Sequence, residues 1–285
     1  MAVVVELISY PVKGCAGTPV SGTPLTGAGL AHDRAFMVVD EDGVYRTQRR
    51  HPGLALITPA IAADGTRLTL AAPRHGAVDV EVTTSAPRRT VDLFGAPLRG
   101  IDQGDTVAGW LSDVLGAPCR LVRVPPEHDR VTAGELPGRP GYADSGAVHL
   151  LARSSLALLN RRMAGRGAPP LPMDRFRPNI VVDGGDGAAP GEDWAAQPHA
   201  EDRARRLTIG ETRLGFAKLA VRCAVTLVDQ RTGARHGPEP LRTLADYRRT
   251  PAGGVVFGAK FSVLRTGKLS VGDEVDVTEW APAPH

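Results

Sequence analysis

The first third of the chain alternates short apolar segments with turns rich in glycine, proline and acidic residues. This arrangement favours many short β-strands joined by tight turns, as in a small barrel or sandwich. The strands predicted in this part of the chain cover residues 2–9, 35–40, 44–47, 54–61, 67–71 and 78–83. A helix is predicted over residues 106–115, whose apolar side chains recur on one face. Asp105 is expected to cap its start and Gly116 to end it.

The second part of the chain mixes strands with a few helices. A strand at residues 120–124 is interpreted as the start of a second unit, which gives domains at residues 1–118 and 119–285. A helix capped by Ser154 or Ser155 and a helix at residues 241–247 are predicted, and residues 188–204 are expected to form a surface loop. Further strands are predicted at residues 179–183, 207–216 (a hairpin), 221–229, 261–264 and 274–277. The predicted fold class is β-rich α+β, with two β-barrel-like domains and peripheral helices.

Composition narrows the class of protein. The chain has 285 residues, three cysteines and a formal net charge of +3. Its arginines are scattered, so we expect no nucleic-acid partner. No apolar segment is long enough to span a bilayer, and no secretory signal opens the chain. Three cysteines without a CxxC pair do not indicate a disulfide framework, an iron–sulfur centre or a structural zinc site. The sequence therefore predicts a cytoplasmic protein without a membrane partner.

Cys223 is the cysteine with the clearest chemical potential. It follows Arg222 in an apolar, strand-like segment that runs into a turn at Gly233. A thiolate is a soft ligand for a transition metal, and an adjacent guanidinium favours the ionised form. The alternative is a buried cysteine that acts as a small hydrophobic residue. Cys15 is expected in a partly exposed loop, and Cys119 is expected to serve packing.

Several turns combine a basic or polar side chain with glycine, proline or asparagine. Such turns supply guanidinium or ammonium groups, hydroxyls and backbone N–H groups, which an anionic ligand with a phosphate requires. Each also has a simpler interpretation, such as a solvated lysine, an ion pair of Arg177 with Asp174, or an ordinary turn. His149 is interpreted as a core histidine. The turn residues concerned are Lys13, Gly14, Arg34, Asp144, Ser145, Gly146, Arg177 and Asn179.

The order of these segments resembles that of MOSC domain proteins with their N-terminal β-barrel domain, similar to the mitochondrial amidoxime-reducing component and its bacterial counterparts. The first domain carries the resemblance in the segments YPVKGCAG from Tyr10, GLAHDRAFMVVD from Gly29 and TQR from Thr47. The second domain carries it at residues 142–146, 176–181 and 222–233, and again at 239–248, 257–258 and 271–273. Together these segments cover nearly the whole chain.

The resemblance implies a molybdenum cofactor, which is a pterin dithiolene that carries molybdenum and a terminal phosphate. It implies that Cys223 is the metal ligand and a catalytic residue, and that Asp144 lines the cofactor near the metal or phosphate. We expect Asp144 to be a second catalytic residue that either contacts an oxygen bound to the metal or relays a proton. It also implies that the cofactor is bound by Lys13, Gly14, Arg34, Ser145, Gly146, Arg177, Asn179 and Arg222.

Three departures from the family pattern change these expectations. Gly14 stands where many relatives carry a serine, so only its backbone can serve the cofactor, and Gly146 replaces a common hydroxyl. Residues 218–221 contain no second cysteine. The chain ends without a ferredoxin-type domain, so we expect a separate electron-transfer protein of the ferredoxin, flavin or haem type.

The resemblance implies an oxidoreductase that reduces the N–O bond of a small N-hydroxylated substrate. The alternative is a carrier that delivers the molybdenum cofactor, or a sulfur atom held on Cys223 as a persulfide. A third reading is that the cofactor has been lost and Cys223 only fills the core. Because all three readings use the same cysteine, the sequence barely separates them.

Overall fold

The computed structural model describes residues 1–184 and 193–282. Within them, three α-helices lie at α1 Asp105–Leu115, α2 Arg153–Ala164 and α3 Leu241–Tyr247. Short 3₁₀ helices cover Pro52–Leu56, Met173–Phe176, Trp194–Ala196, Ala200–Asp202 and Ala224–Leu227. The strands are β1 Ala2–Ser9, β2 Val12–Lys13, β3 Thr18–Val20, β4 Gly22–Thr26, β5 Gly29–Leu30, β6 Phe36–Val39, β7 Thr58–Ile61, β8 Arg67–Ala72, β9 Gly76–Glu81, β10 Arg88–Leu93, β11 Ala96–Asp102, β12 Arg120–Arg123, β13 Val148–Ala152, β14 Ile180–Gly184, β15 Ala204–Ile209, β16 Thr212–Arg222, β17 Val255–Arg265, β18 Gly267–Ser270 and β19 Val275–Trp280.

An eight-stranded sheet forms the larger half of the molecule, in the order β19-β15-β16-β17-β13-β14-β1-β3. A bridge between Val3 and Glu274 connects β1 to the residue before β19, so this sheet curls back on itself as a barrel does. Alternate side chains of its strands point inward, and they bury a continuous apolar core that includes Leu7, Leu150 and Phe261. A second apolar cluster packs α2 and α3 against β17.

The smaller half contains a five-stranded sheet in the order β10-β11-β12-β6-β2 and a three-stranded sheet β7-β8-β9. Helix α1 buries Val107 and Leu111 in the core of this half. Gly104 is the residue before the helix and Asp105 lies in its first turn, so the predicted cap is one residue out. Gly116 ends the helix at φ 66°, a left-handed conformation that glycine adopts at little cost, as predicted.

Among the described residues, four strand pairings cross the predicted domain boundary at residue 118, one of them between β4 and β18. Strand β1 pairs with β14 of the larger half, and β12 pairs with β6 and β11 of the smaller half. The strand predicted at 120–124 therefore belongs to the five-stranded sheet of the smaller half and does not start the sheet of the larger half. This exchange of strands brings residues from both ends of the chain to one junction, where the cavity described below lies. The division at 118 itself stays a prediction.

The β-rich α+β fold class is confirmed, and most predicted strands and all three helices are present. The predicted strand over 54–61 is wrong in its first half, because Pro52 starts a 3₁₀ helix that ends at Leu56. Ser154 and Ser155 do not cap α2; their hydroxyls bond to Ala195 O and to the Glu201 carboxylate instead.

Part of the predicted surface loop over 188–204 lies outside the described residues. From residue 193 onward this segment is packed, because it contains two 3₁₀ helices and the buried side chains of Asp193, Ala195 and Glu201. No α-helix of the described residues has the length and apolar character needed to cross a membrane.

Candidate functional site

A cavity of about 310 Å³ opens at the junction of the two halves. Strand β2 and the loop before β6 supply one wall, and β13, β17 and the end of β16 supply the other. All of the site residues predicted from the sequence line this cavity. They are Lys13, Gly14, Arg34, Asp144, Ser145, Gly146, Arg177, Asn179, Arg222 and Cys223. Their shared location is a finding of the structure, whereas their individual roles stay predictions.

Cys223 lies where β16 ends, and not inside a strand as predicted. The strand stops at Arg222, and the backbone and side chain of Thr226 both donate to Cys223 O, at 3.0 Å each. These bonds start the 3₁₀ helix Ala224–Leu227 and explain why the strand does not continue. Cys223 is a free thiol and only partly buried, so it is accessible from the cavity. The other two cysteines are buried in the core of the smaller half, which confirms packing for Cys119. Cys15 lies in the loop between β2 and β3 as expected, but it is fully buried and not partly exposed.

Lys13 and Asp144 form an ion pair across the two halves of the chain. Lys13 Nζ also donates to Tyr142 O at 2.9 Å, and its own side chain is almost fully buried. Burial alone would raise the pKa of Asp144, but the ammonium groups of Lys13 and Lys260 hold it well below its usual range. Asp144 is therefore a carboxylate at neutral pH, with its side chain facing the cavity.

Arg34 and Arg177 both pack against the buried ring of Tyr10, with guanidinium carbons 4.2 and 4.3 Å from its centroid. Asp33 orients Arg34 through a 2.5 Å ion pair. Burial lowers the pKa of Arg177, although a guanidinium keeps its charge at neutral pH. Arg177 forms no ion pair with Asp174; its Nη1 lies 3.4 Å from Gln230 Oε1.

Both arginines adopt positive φ angles, 49° for Arg34 and 54° for Arg177. Left-handed backbone is uncommon for residues other than glycine, asparagine and aspartate, and it concentrates at functional sites. Here the strained conformation brings two guanidinium groups to the same side of the cavity, at the same tyrosine.

Asn179 connects the two walls. Its Nδ2 donates to Ile8 O at 3.1 Å and to Asp33 Oδ1 at 3.0 Å, while its Oδ1 accepts from His149 N at 3.2 Å. Both amide hydrogens are therefore engaged within the protein. Any contact of Asn179 with a ligand would use the remaining acceptor capacity of Oδ1.

Arg222 and His149 hold buried nitrogens that have no hydrogen-bond partner among the described residues, namely Arg222 Nε and His149 Nε2. Arg222 Nη2 donates to Phe176 O at 2.8 Å. Burial lowers the pKa of Arg222 to about 10 and holds that of His149 well below 6.5. Several other buried atoms without a partner in the described part of the chain, such as Tyr247 Oη, lie away from the cavity, but these two nitrogens belong to residues of its lining and are placed to bond to a ligand.

Lys260 is the most important cavity residue that the sequence reasoning missed. It pairs with His149 across β17 and β13, and its Nζ donates to Ser145 Oγ at 2.9 Å. Burial lowers the pKa of Lys260 to about 7, against the opposing effect of Asp144. Its position within an apolar strand was a usable signal, because a charged residue in a buried strand requires an explanation.

Gly146 faces Lys260 and has no room for a side chain. A Cβ at this position would lie 2.8 Å from Lys260 Cβ, and its φ of 67° also favours glycine. The glycine that replaces the family's common hydroxyl is thus matched to a neighbouring lysine. Other lining residues that the sequence reasoning did not single out as site residues include Tyr45, Arg46, Thr47, Arg49 and Phe94, together with the buried side chains of Gln48 and His149.

The lining carries a large excess of positive charge. Within the described residues it includes a single carboxylate, Asp144, against the cations Lys13, Arg34, Arg46, Arg49, Arg177, Arg222 and Lys260. Like charges held together in a concave, partly desolvated site attract an anion strongly. Since no group of three His, Cys, Asp or Glu side chains in the described residues is arranged as a metal site, a metal here would need ligands besides Cys223.

Fold and cavity together define a class: a two-part β-barrel protein whose cationic cavity presents one thiol to an anionic ligand. The sequence profile of the MOSC N-terminal beta barrel domain matches residues 1–118, and that of the MOSC domain matches residues 137–276. The chain belongs to the family of MOSC domain proteins.

The chain is similar to amidoxime-reducing components and to molybdenum cofactor sulfurases. The mitochondrial amidoxime reducing component 2 of Rattus norvegicus is 33% identical, over 93% of this chain and 80% of the relative. The mitochondrial amidoxime-reducing component 1 of Homo sapiens is 31% identical, over 95% and 82%. The molybdenum cofactor sulfurase of Danio rerio is 33% identical over 89% of this chain, but the chain spans only 31% of that protein.

Proposed function

We propose that this protein binds a molybdenum cofactor and uses it to reduce N-hydroxylated compounds. The observation that carries the proposal is the cavity itself, in which a partly exposed thiol lies among seven cationic side chains. Within the described residues, Asp144 and Asp33 pair with two of these cations, Lys13 and Arg34, so positive charge remains in excess. The named relatives that match most of their own length are amidoxime-reducing components, which supports the choice of reaction.

The lining residues fit such a cofactor chemically. A pterin with a terminal phosphate needs cations and amide or hydroxyl groups, and Arg34, Arg177 and Arg222 supply guanidinium groups suited to phosphate. The orphaned Nε of Arg222 and Nε2 of His149 offer bonds that a bound ligand would complete. Because a dithiolene brings its own sulfur ligands, one further thiolate from Cys223 is a sufficient protein contribution.

The cofactor would supply the two-electron redox chemistry, and the protein would supply orientation and protons. Reduction of an N-hydroxylated compound breaks the N–O bond and consumes two electrons and two protons. The nitrogen keeps a hydrogen in place of the hydroxyl group, and the oxygen leaves as water. Lys260 faces the cavity with its pKa lowered to about 7, so it can hold or pass a proton there. Asp144 faces the same cavity as a carboxylate paired with Lys13, so it can accept a proton during the reaction.

We also propose that the electrons come from a separate redox protein of the ferredoxin, flavin or haem type, and that the protein works in the cytoplasm. The open mouth of the cavity, where Arg49 and Phe94 are exposed, supports access by a donor from outside. Activity that appears with a purified ferredoxin, flavoprotein or cytochrome b5 would identify the class of donor.

The experiment uses protein made in a host that synthesises the molybdenum cofactor. With a chemically reduced viologen as donor, the protein is expected to convert an amidoxime to its amidine, and Cys223→Ser is expected to lose this activity. A protein that contains molybdenum but reduces no N-hydroxylated compound would contradict the proposed reaction and leave cofactor binding intact.

A second candidate is a carrier of the cofactor, or of a sulfur atom on Cys223. The resemblance of 89% of this chain to part of a molybdenum cofactor sulfurase favours this candidate. A carrier is expected to pass molybdenum to a cofactor-free molybdoenzyme and restore its activity, without reducing amidoximes itself. The two readouts, transfer and N-reduction, separate the candidates on one protein sample.

A further inference from the structure

The hairpin between β10 and β11 carries an unexpected residue at its turn. Leu93 pairs with Ala96, so Phe94 and Gly95 form a two-residue turn with φ angles of 61° and 79°. Two positive φ angles define a type I′ turn, which favours Asn-Gly, Asp-Gly or Gly-Gly. A phenylalanine in the left-handed region is sterically disfavoured, so the turn geometry does not explain its presence.

Burial does not explain Phe94 either, because its side chain is 48% exposed. The ring lines the mouth of the cavity and packs against Tyr45, with centroids 4.8 Å apart and planes tilted by 60°. Arg49 Nη2 donates to the hydroxyl of Tyr45 at 3.1 Å and helps hold that ring. Strain at an exposed side chain that faces a cavity points to a role in binding.

The two rings, which we call the aromatic rim, differ from the rest of the lining. They lie beside Lys13, whose Nζ is 5.1 Å from the Phe94 centroid and 5.8 Å from that of Tyr45. These distances fall within the range of cation–π attraction, so Lys13 links the rim to the interior. A ligand that reaches the interior from solvent passes these rings.

The charge of the cavity restricts which ligand the rim can hold. Arg46 and Arg49 line the cavity and are not among the residues expected to bind the anionic cofactor, so their charge repels a positively charged ligand and accepts an uncharged or anionic one. An N-hydroxylated amidine is uncharged at neutral pH because its oxygen withdraws electron density. The amidine product is a strong base and carries a proton, so the same walls favour its departure.

We propose that Phe94 and Tyr45 form a substrate platform that selects planar, conjugated and uncharged N-hydroxylated compounds by stacking. This inference rests on the proposed function for the reaction, but the binding it describes can be measured without turnover. The platform places the conjugated part of the substrate at the mouth of the cavity and its N–O group further inside.

The test compares an aryl amidoxime with its cyclohexyl counterpart, which has the same N–O group without the flat ring. Phe94→Asn removes the ring and suits the type I′ turn, whereas Phe94→Trp retains an aromatic face. Phe94→Asn is expected to lower kcat/KM for the aryl substrate roughly fivefold to tenfold and to change the cyclohexyl substrate less than about twofold. Phe94→Trp is expected to retain the preference for the aryl substrate.

A matched control is Arg74→Asn, which makes the same kind of change at a positive φ of 68°, in a turn that does not line the cavity. Arg74→Asn is expected to leave kcat/KM unchanged for both the aryl and the cyclohexyl substrate. Phe94→Asn is also expected to raise the urea midpoint of unfolding, because it relieves the turn. An equal loss with both substrates, or a lower midpoint, would overturn the platform and assign Phe94 a structural role.

Direct binding separates this inference from the proposed reaction. Calorimetry with the aryl amidoxime is expected to show weaker binding to Phe94→Asn than to the wild type, whether or not turnover occurs. If no substrate is reduced but the aryl compound still binds through Phe94, the reaction fails and the platform stands. If the aryl and cyclohexyl compounds bind equally well, and Phe94→Asn binds the aryl compound as tightly as the wild type does, the platform is overturned, even where N-reduction is observed.

Discussion

The cavity and the acidic cluster beneath α3 both bury ionisable side chains, but they treat charge in opposite ways. We define the acidic cluster as Glu201 and Asp202 with their partners Ser155 and Arg248. In the cluster, one oxygen of each carboxylate has a partner: Ser155 Oγ donates to Glu201 at 2.7 Å, and Arg248 forms an ion pair with Asp202. The second oxygen of each has no hydrogen-bond partner among the described residues. In the cavity, cations greatly outnumber the one carboxylate. The ion pair and hydrogen bonds of the acidic cluster indicate a structural role for its charged groups. The excess of cations in the cavity indicates a site for an anionic ligand.

The strongest contrast is expected between two arginine substitutions. Arg248→Met leaves Asp202 unpaired beside Glu201 in a buried place, and should lower the free energy of unfolding by about 3–5 kcal/mol. Arg222→Met loses one hydrogen bond to Phe176 O but removes a desolvated cation, so a change below about 1 kcal/mol is expected. Urea unfolding of both variants, without ligand, measures the difference. Equal losses would show that Arg222 is a structural residue like Arg248.

The pH dependence of stability tests the acidic cluster through Glu201. Burial and the neighbouring Asp202 raise the pKa of Glu201 to about 7 from its usual 4.5. The folded state therefore binds more protons than the unfolded state between these values, and the free energy of unfolding falls as pH rises from 4.5 to 7.

Glu201→Gln should remove this loss and stabilise the protein at pH 8 by roughly 1–3 kcal/mol, with little effect near pH 4.5. Unfolding curves at both pH values provide the measurement. A variant that is destabilised equally at pH 4.5 and pH 8 would show that Glu201 is not protonated in the folded protein below neutrality.

The pH dependence of anion binding tests the cavity through Lys260, and the expected effect is smaller. As pH falls through about 7, Lys260 gains a proton and the cavity gains a positive charge. Binding of sulfate, which stays a dianion throughout, should strengthen by about 1 kcal/mol between pH 8.5 and pH 6. Lys260→Met should bind sulfate with little dependence on pH in this range. Unchanged pH dependence in the variant would assign the titration to another group.

The sequence predicted much of this arrangement where local chemistry decides it. Helix α1 follows from its apolar periodicity and Gly116, and strand β1 from a largely apolar segment between Met1 and Tyr10 that is rich in valine. The basic turns were weak signals singly, and the resemblance to MOSC domain proteins predicted that residues from Lys13 to Cys223 would serve one site; all of them line one cavity.

The sequence could not predict features that arise only when distant segments meet. Lys260 is recognisable as a cavity residue only once β17 lies beside β13 and opposite Gly146. The end of β16 at Arg222 depends on hydrogen bonds from Thr226, which compete with the strand that the apolar segment favours. Strand exchange across residue 118 is likewise a tertiary feature, since short strands carry no mark of their partner.

Whether the unpaired charge and the thiol hold a molybdenum cofactor is tested most directly by elemental analysis. Wild-type protein from a cofactor-competent host, Cys223→Ser and the control Cys119→Ala are to be compared for molybdenum after gel filtration. We expect near-stoichiometric molybdenum in the wild type and the control, and a severalfold lower content in Cys223→Ser. Absence of molybdenum from the wild type would contradict cofactor binding, and equal loading of all three proteins would contradict Cys223 as the metal ligand.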